Sequence, residues 1–367
     1  MNEAFRDVYE KEQRLRNFMD ERGFDAVVLT LRSNFSWLTG GGDNHVLLNS
    51  EYGCAPVLVT KKAKYLIAHP MDGPRIMREE IAGQGFEMVL HPWYEPDRKE
   101  VIRRIAGRGR LACDAPFFGA DNVAEDIMRL HYPFTVTEVE RCRVLALESA
   151  LCFGDVANSV RSGEQELDVA ARLISAFASR HIQTEVVIVA ADDRIRDYRH
   201  PIPTSRRIRK TALLHAVAQK WGLHCNVSRM VALGGIPEDL VRIHRAACYI
   251  EAVNAAHSRP GVLFQDLLAK VKEAYAEVGF PEEWKAHFVG GPTGYVILHS
   301  AAMLDPSWNV SEHQPMGHLA TIAGTKVEEL IMVTPEGTSV LSNSKGWPLL
   351  NFEINGQYIE LPDVLVI

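Results

Sequence analysis

The sequence predicts an α+β fold in two parts, and three observations carry the prediction. In the first third of the chain, helix-like and strand-like stretches alternate, as they do in a small α/β domain. A break follows in "HYPFTVTEVE" (131–140), after which two helical patterns precede a set of strands. That order then occurs a second time, implying two pseudo-equivalent halves with long antiparallel strands and helices on one face. The domains are expected over residues 1–135 and 136–367, with a site between the halves on the open face of the sheet.

The elements follow from spacing. Residues 9–23 form an amphipathic helix, "DAVVLT" a buried strand, and "APVLVTKKAKYLIA" a hairpin turning at its lysines. "FEMVLH" and "RLACDA" are further strands, separated by helical "DRKEVIRRIAG". Pro133 interrupts the pattern, and Thr137 is placed to cap a helix beginning at Glu138. Helices over 138–160 and 166–180 lead to the strands "EVVIVA", "ALLHAVAQ" and "LHCNVSRMVAL". Helices over 238–258 and 264–278 lead to a second strand set that runs through Val340.

With 367 residues, 47% of them apolar and 24% charged, the chain has an ordinary globular composition and can bury a sizeable core. A formal charge of −7 argues against a general nucleic-acid binder, and the basic run "RIRDYRHPIPTSRRIRK" (194–210) reads as a solvated, Arg-rich loop. Six cysteines without a CxxC pair point to neither a zinc knuckle nor a disulfide framework. They fit a reducing cytoplasm. The N-terminus lacks a hydrophobic signal core and no later segment has the length to span a bilayer, so a soluble cytoplasmic protein without membrane or nucleic-acid partners is expected.

One stretch stands out for its glycines: "GGPTGYVILH" (290–299). A phosphate loop of the form GxxxxGK[ST] needs a lysine and a hydroxyl after its last glycine, where Tyr295 and Val296 stand. The phosphate reading fails.

"RPGVLFQDLLAKVKEAYAEVGF", "GLHCNVSR", "HFVGGPTGY" and "GTKVEELIMVTPEG" fall in the order and spacing of another family. The chain resembles the aminopeptidase P, prolidase and creatinase superfamily, with its pita-bread fold, over nearly its whole length. "NFSWLTGGGDNHV" resembles part of that family's smaller N-terminal domain, where a similar segment reaches toward a partner subunit's active site. The resemblance therefore implies a homodimer, with Asn44 and His45 toward the neighbour's cleft.

Metal-dependent members bind a pair of divalent ions through two Asp, one His and two Glu. By motif these positions fall on His215, Asn226, Gly291, Leu319 (or Ala323 under a shifted register) and Glu328. Only Glu328 keeps a ligand, so the anionic cage that offsets two dications is missing. The resemblance thus implies no metal and no cofactor. In "YRHPIPTSRRI" the histidine ahead of Pro and Thr falls on His200, and in metal-free creatinase the histidine at this place serves as acid and base. The chain also looks similar to a metal-free branch of bacterial proteins with a Gly-Gly-x-Thr-Gly-Tyr loop and a Gly-Thr-Lys-x-Glu motif. It departs from that branch at "HLAT" (318–321), at Leu298 and His299, and at Glu329.

His200 is accordingly the candidate acid/base, or else a histidine bonded in a polar loop. Glu328 either holds a substrate cation or orients a histidine, or forms a structural ion pair with Lys326, one same-face step before it. His215 lies in the core or over the site, and His299 is a second proton-transfer group or a surface residue. Asn226, the bare backbone at Gly291, the hydroxyls of Thr293 and Tyr295, and His45 are candidate substrate contacts, with turn chemistry and packing as the alternative for the loop residues. Three functions stay open: a metal-independent, creatinase-like hydrolase or lyase acting on a C–N or related bond of a small polar substrate; an inactive relative that binds a ligand or partner; and an Xaa-Pro peptidase whose unusual metal site uses His215, His224 or His299 with Glu328.

Overall fold

The apolar runs at the start of the chain pair into one sheet, in a computed structural model that describes residues 3–95, 98–117 and 119–367. The chain divides into two units, the first ending at Thr137 and the second spanning Glu138–Ile367.

In the first unit a long helix, α1 (Glu3–Arg22), is followed by β1 (Ala26–Leu31), α2 (Arg32–Leu38), β2 (Tyr52–Thr60), β3 (Lys64–Ala68) and β4 (Phe86–Leu90). Then come α3 (Arg98–Ala106), β5 (Leu111–Cys113), β6 (Asp121–Asn122) and α4 (Ala124–Leu130). The sheet runs β4-β3-β2-β1-β5-β6, with β2 and β3 forming the expected hairpin. Val28, Leu58, Ile67 and Cys113 pack with Ile102 of α3 into its core. Helix α2 has no local cap, which hides it from sequence inspection. Its entry is held by Asp114, whose carboxylate accepts from Thr30 N and Leu31 N at 2.8 and 2.9 Å and from Asn34 Nδ2 at 2.9 Å.

Helix α5 (Val136–Ala157) carries the chain across the boundary at Thr137 and starts two residues earlier than the expected Glu138. The threonine ahead of its first turn is Thr135, whose hydroxyl donates to Asp7 Oδ1 at 2.5 Å. Next come α6 (Glu166–Ala178), β7 (Gln183–Ala191), α7 (Asp193–Asp197), β8 (Thr211–Lys220) and β9 (Leu223–Ala232). Helices α8 (Glu238–His257) and α9 (Phe264–Glu277) then lead to β10 (Gly290–Pro292), β11 (Gln314–Ile322), β12 (Thr325–Thr334) and β13 (Gly337–Val340). Beyond the strands expected from sequence lie a hairpin of β14 (Leu349–Ile354) with β15 (Gln357–Pro362), and a short β16 (Leu365–Val366).

Two four-stranded sheets result, ordered β16-β9-β8-β7 and β10-β11-β12-β13, and β9 packs against β12. Almost every residue of β8, β9, β11 and β12 is buried, which is why they read as continuous apolar runs. Strand alternation sorts their polar residues onto two faces. Arg229 and Glu329 take the helix side, where they form a buried ion pair. Arg229 also donates to Ser342 O at 2.6 Å and to Ser228 O at 2.7 Å. This clasp ties β9 to β12 across the seam between the sheets.

Removing one partner of such a pair leaves the other charge buried and uncompensated. Arg229→Met is therefore expected to cost about 3–5 kcal/mol in urea-induced unfolding. A loss too small to measure would show that the clasp is dispensable.

Candidate functional site

On the opposite face of the seam, antiparallel pairing sets His215 of β8 across from Ser228 of β9, and Leu319 of β11 across from Glu328 of β12. Ala323, the shifted-register alternative to Leu319, lies in the turn between β11 and β12. Lys326 Nζ stands 2.9 Å from Glu328 Oε2, and both side chains are buried. Asn226 Nδ2 donates to Glu328 Oε1 at 3.1 Å and to Ile297 O at 3.3 Å. His215 Nδ1 lies 3.1 Å from Ser228 Oγ and 3.4 Å from Glu328 Oε2. Burial alone would raise the Glu328 carboxyl, but the Lys326 ammonium overrides it and holds the group at about 2. Burial first, and Lys326 second, drive His215 down to about 3, so its ring is neutral.

His200 and His287 come together from positions 87 residues apart, with Nε2 to Nε2 at 2.9 Å and rings edge to face at 4.7 Å. Burial foremost, then Lys326, lowers His287 to about 4; His200 is lowered by the same two causes, with Glu328 opposing. Both rings are neutral at pH 7, and their hydrogen bonds assign the tautomers. His287 Nδ1 faces Phe288 O at 3.2 Å, and a carbonyl only accepts, so that nitrogen carries the proton. His287 Nε2 is then an acceptor, His200 Nε2 is its donor, and the lone pair of neutral His200 is left on Nδ1. The two rings stand on the wall of a cleft of about 640 Å³, whose lining comes from residues 199–200, 268, 284–290, 300–301 and 303–304.

Of the sequence candidates, His200 lines the cleft, whereas His215, Asn226 and Glu328 are buried and outside its lining. The glycine loop turns out to be approached by its own chain. A Cβ on Gly291 (φ 151°) would sit 2.9 Å from His299 O, and one on Gly290 (φ 124°) 2.7 Å from Gly317 O. The space against Gly291 is thus taken by backbone, correcting the expectation that a substrate rests there. Thr293 is corrected likewise: its buried hydroxyl donates to Val296 O and Ile297 O at 3.0 and 2.8 Å, closing the turn. Tyr295 is fully buried and packs.

The His299 ring lies 5.0 Å from that of Trp308, and its amide donates to Pro292 O at 2.8 Å. His224, another candidate ligand, is held by Gly294 O at 2.7 Å and Glu185 at 3.3 Å. In the first unit His45 Nδ1 meets Asp43 Oδ2 at 2.5 Å, while Asn44 is buried with its amide donating to Ala55 O at 2.8 Å. Sequence reasoning took His287 only as a remnant of the loop's two-histidine pattern and passed over Ser228. The signal for His287 was its place three residues before Gly290, but only the fold reveals that it meets His200.

The donors present do not fit a pair of divalent ions. One carboxylate faces the seam, an ammonium already neutralises it, and no group of three or more His, Cys, Asp or Glu is gathered for a metal among the described residues. Among the described residues no helix is long and apolar enough to cross a membrane.

Comparison with known proteins places this geometry. The sequence pattern of metallopeptidase family M24 matches residues 140–325, and that of the creatinase/prolidase N-terminal domain matches residues 12–125. The uncharacterized peptidase YqhT of Bacillus subtilis (strain 168) is 22% identical over 363 residues, covering 91% of this chain and 98% of the relative. Among solved structures, the Xaa-Pro dipeptidase from Bacillus anthracis superposes with a TM-score of 0.77 at 18% identity, covering 98% of this chain and 100% of that one. The N-terminal domain of FACT complex subunit SPT16 from Cicer arietinum gives a TM-score of 0.69 at 10% identity, covering 92% and 97%. The two-sheet architecture of the second unit is the pita-bread fold, as in the Xaa-Pro dipeptidase.

The lowered histidines make stability depend on acid. A histidine whose folded pKa is depressed contributes stability that is present above its usual 6.5 and is lost as pH falls through the folded value, here about 3 for His215. His215→Gln removes one such group, so its unfolding free energy is expected to depend on pH less steeply by about 1.4 kcal/mol per unit between pH 6 and 4. Urea titrations across that range check it, and an unchanged slope refutes a neutral His215.

Proposed function

The chain belongs to metallopeptidase family M24, and on that premise we propose that it is a hydrolase of amide or related C–N bonds in which a histidine pair, not metal-bound water, moves the protons. The observation that carries this reading is the His200–His287 pair on the cleft wall, above a buried Lys326–Glu328 ion pair. His200 Nδ1 accepts a proton from water as the water oxygen attacks the electrophilic carbon. The same nitrogen returns that proton to the leaving nitrogen, so the two half-steps balance. His287 holds His200 in the tautomer that leaves the lone pair on Nδ1. The lowered pKa of His200 keeps that lone pair unprotonated near neutral pH.

The relatives' names make the Xaa-Pro bond the first substrate to assay, and the homodimer expected from sequence belongs to the same proposal. A second reading, ligand binding without turnover, draws on the burial of His215, Asn226 and Glu328 outside the lining of the cleft.

Turnover of Xaa-Pro dipeptides and small C–N substrates by metal-stripped protein tests the proposal. His200→Ala is expected to lower kcat by about 10²–10⁴-fold, and His287→Ala to move the acid limb of the pH profile. Stoichiometric Mn, Co or Zn in the purified protein, with activity lost on chelation, would falsify the histidine mechanism. Binding without turnover in every assay favours the second reading.

A further inference from the structure

The proposed proton transfer leaves a buried carboxylate without a role. His200 lies between α7 and β8, in a stretch (198–210) that forms neither helix nor strand, so its own local structure does not fix where the ring stands. Beside it, Arg199 is ion-paired with Glu283 in the 3-10 turn (Glu283–Ala286) ahead of His287. Those two side chains are 22% and 26% exposed, and an ion pair open to water holds little. Glu166, the first residue of α6, is by contrast fully buried. Its carboxylate accepts from Ala191 N at 2.8 Å, from the Arg194 guanidinium, and from Thr204 N and Thr204 Oγ1 at 2.9 and 2.8 Å. Arg194 passes the hold on, because its Nη2 donates to Ile202 O at 3.0 Å. In return, the carbonyls of Arg206 and Thr204 accept from Glu166 N at 3.0 Å and Leu167 N at 3.1 Å, amides that the first turn of a helix otherwise leaves unmatched. The far end of the stretch is fixed separately, where Asp192 accepts from the amides of residues 209–211. The holds made through Glu166 at Ile202 and Thr204 are thus the nearer ones to His200, and bonds to a charged group shielded from water are the firm ones.

We propose that Glu166 is the positioning residue for His200: acting through Arg194 and Thr204, it sets the stretch in the placement that brings His200 Nε2 to His287 Nε2. Glu166 itself lies outside the lining of the cleft. The use of that placement in proton transfer rests on the hydrolase reading above; the placement itself does not. The tautomer of His287 reports it. His287 keeps its proton on Nδ1, toward Phe288 O, while His200 donates to Nε2. Which ring nitrogen carries the proton is set by the bond the other makes, so withdrawing the donor at Nε2 lets the proton move there.

Ring-carbon NMR of the full chain, labelled with carbon-13 histidine, tests this, with the His287 signal assigned by its loss in His287→Gln. His287 is expected in the Nδ1–H form in the natural protein and mostly in the Nε2–H form in Glu166→Ala, while the signals of His224 and His244 stay in place. Thr204→Val alters an exposed residue and removes a single donor, so it folds even if Glu166→Ala does not, and a smaller change in the same direction is expected from it. In the turnover assays above, Glu166→Ala is expected to lower kcat by about 10²-fold with KM unchanged. A His287 signal that is unmoved in the folded variants, or that moves only together with those of His224 and His244, overturns the role of Glu166 and leaves the hydrolase reading standing. An Nε2–H form already present in the natural protein overturns both.

Discussion

Lys326 and Glu328 face each other at 2.9 Å at the seam where the two four-stranded sheets of the second unit meet, and the site is organised around that contact. An ammonium and a carboxylate removed from water are costly apart and tolerable only together. Their pairing keeps Glu328 ionised in a buried setting, gives Asn226 a fixed acceptor, and adds a positive charge that disfavours protonation of His215, His287 and His200. Burial first, and the Lys326 ammonium second, keep His215, His287 and His200 neutral, with Glu328 opposing.

The same seam is clasped on its other face by Arg229 and Glu329. Because neighbouring residues of a strand point to opposite faces, Glu328 and Glu329 serve different structures although they are adjacent. Glu328 belongs to the site face and Glu329 to the helix side, where the guanidinium of Arg229 and the hydroxyl of Ser342 accompany it. The clasp holds β9 beside β12, and the ion pair sits on the surface so created.

The glycine loop shows how a conspicuous motif acquires a different meaning once folded. Its positive-φ glycines let β10 lie directly on the backbone of Gly317 and His299, with Thr293 closing the turn beneath. The loop delivers its flanks rather than itself: His287 and Phe288 precede the glycines and reach the cleft.

Much was legible from the chain. The long apolar runs of β8, β9, β11 and β12, the two helices ahead of each sheet, and the β2–β3 hairpin are local patterns of period and turn chemistry, which is why they could be read residue by residue. So could the same-face spacing that makes Lys326 a partner for Glu328. Helix α2 could not be read, because the carboxylate that holds its entry comes from Asp114, more than 80 residues later. The meeting of His200 with His287, the occupation of the space at Gly291 by His299, and the burial of His215 and Asn226 behind the cleft depend on distance through space. Sequence alone determined which side chains are available and which strand faces they share; tertiary structure decided which of them meet, because burial and charge act between atoms that only the packed sheets bring within a few ångströms.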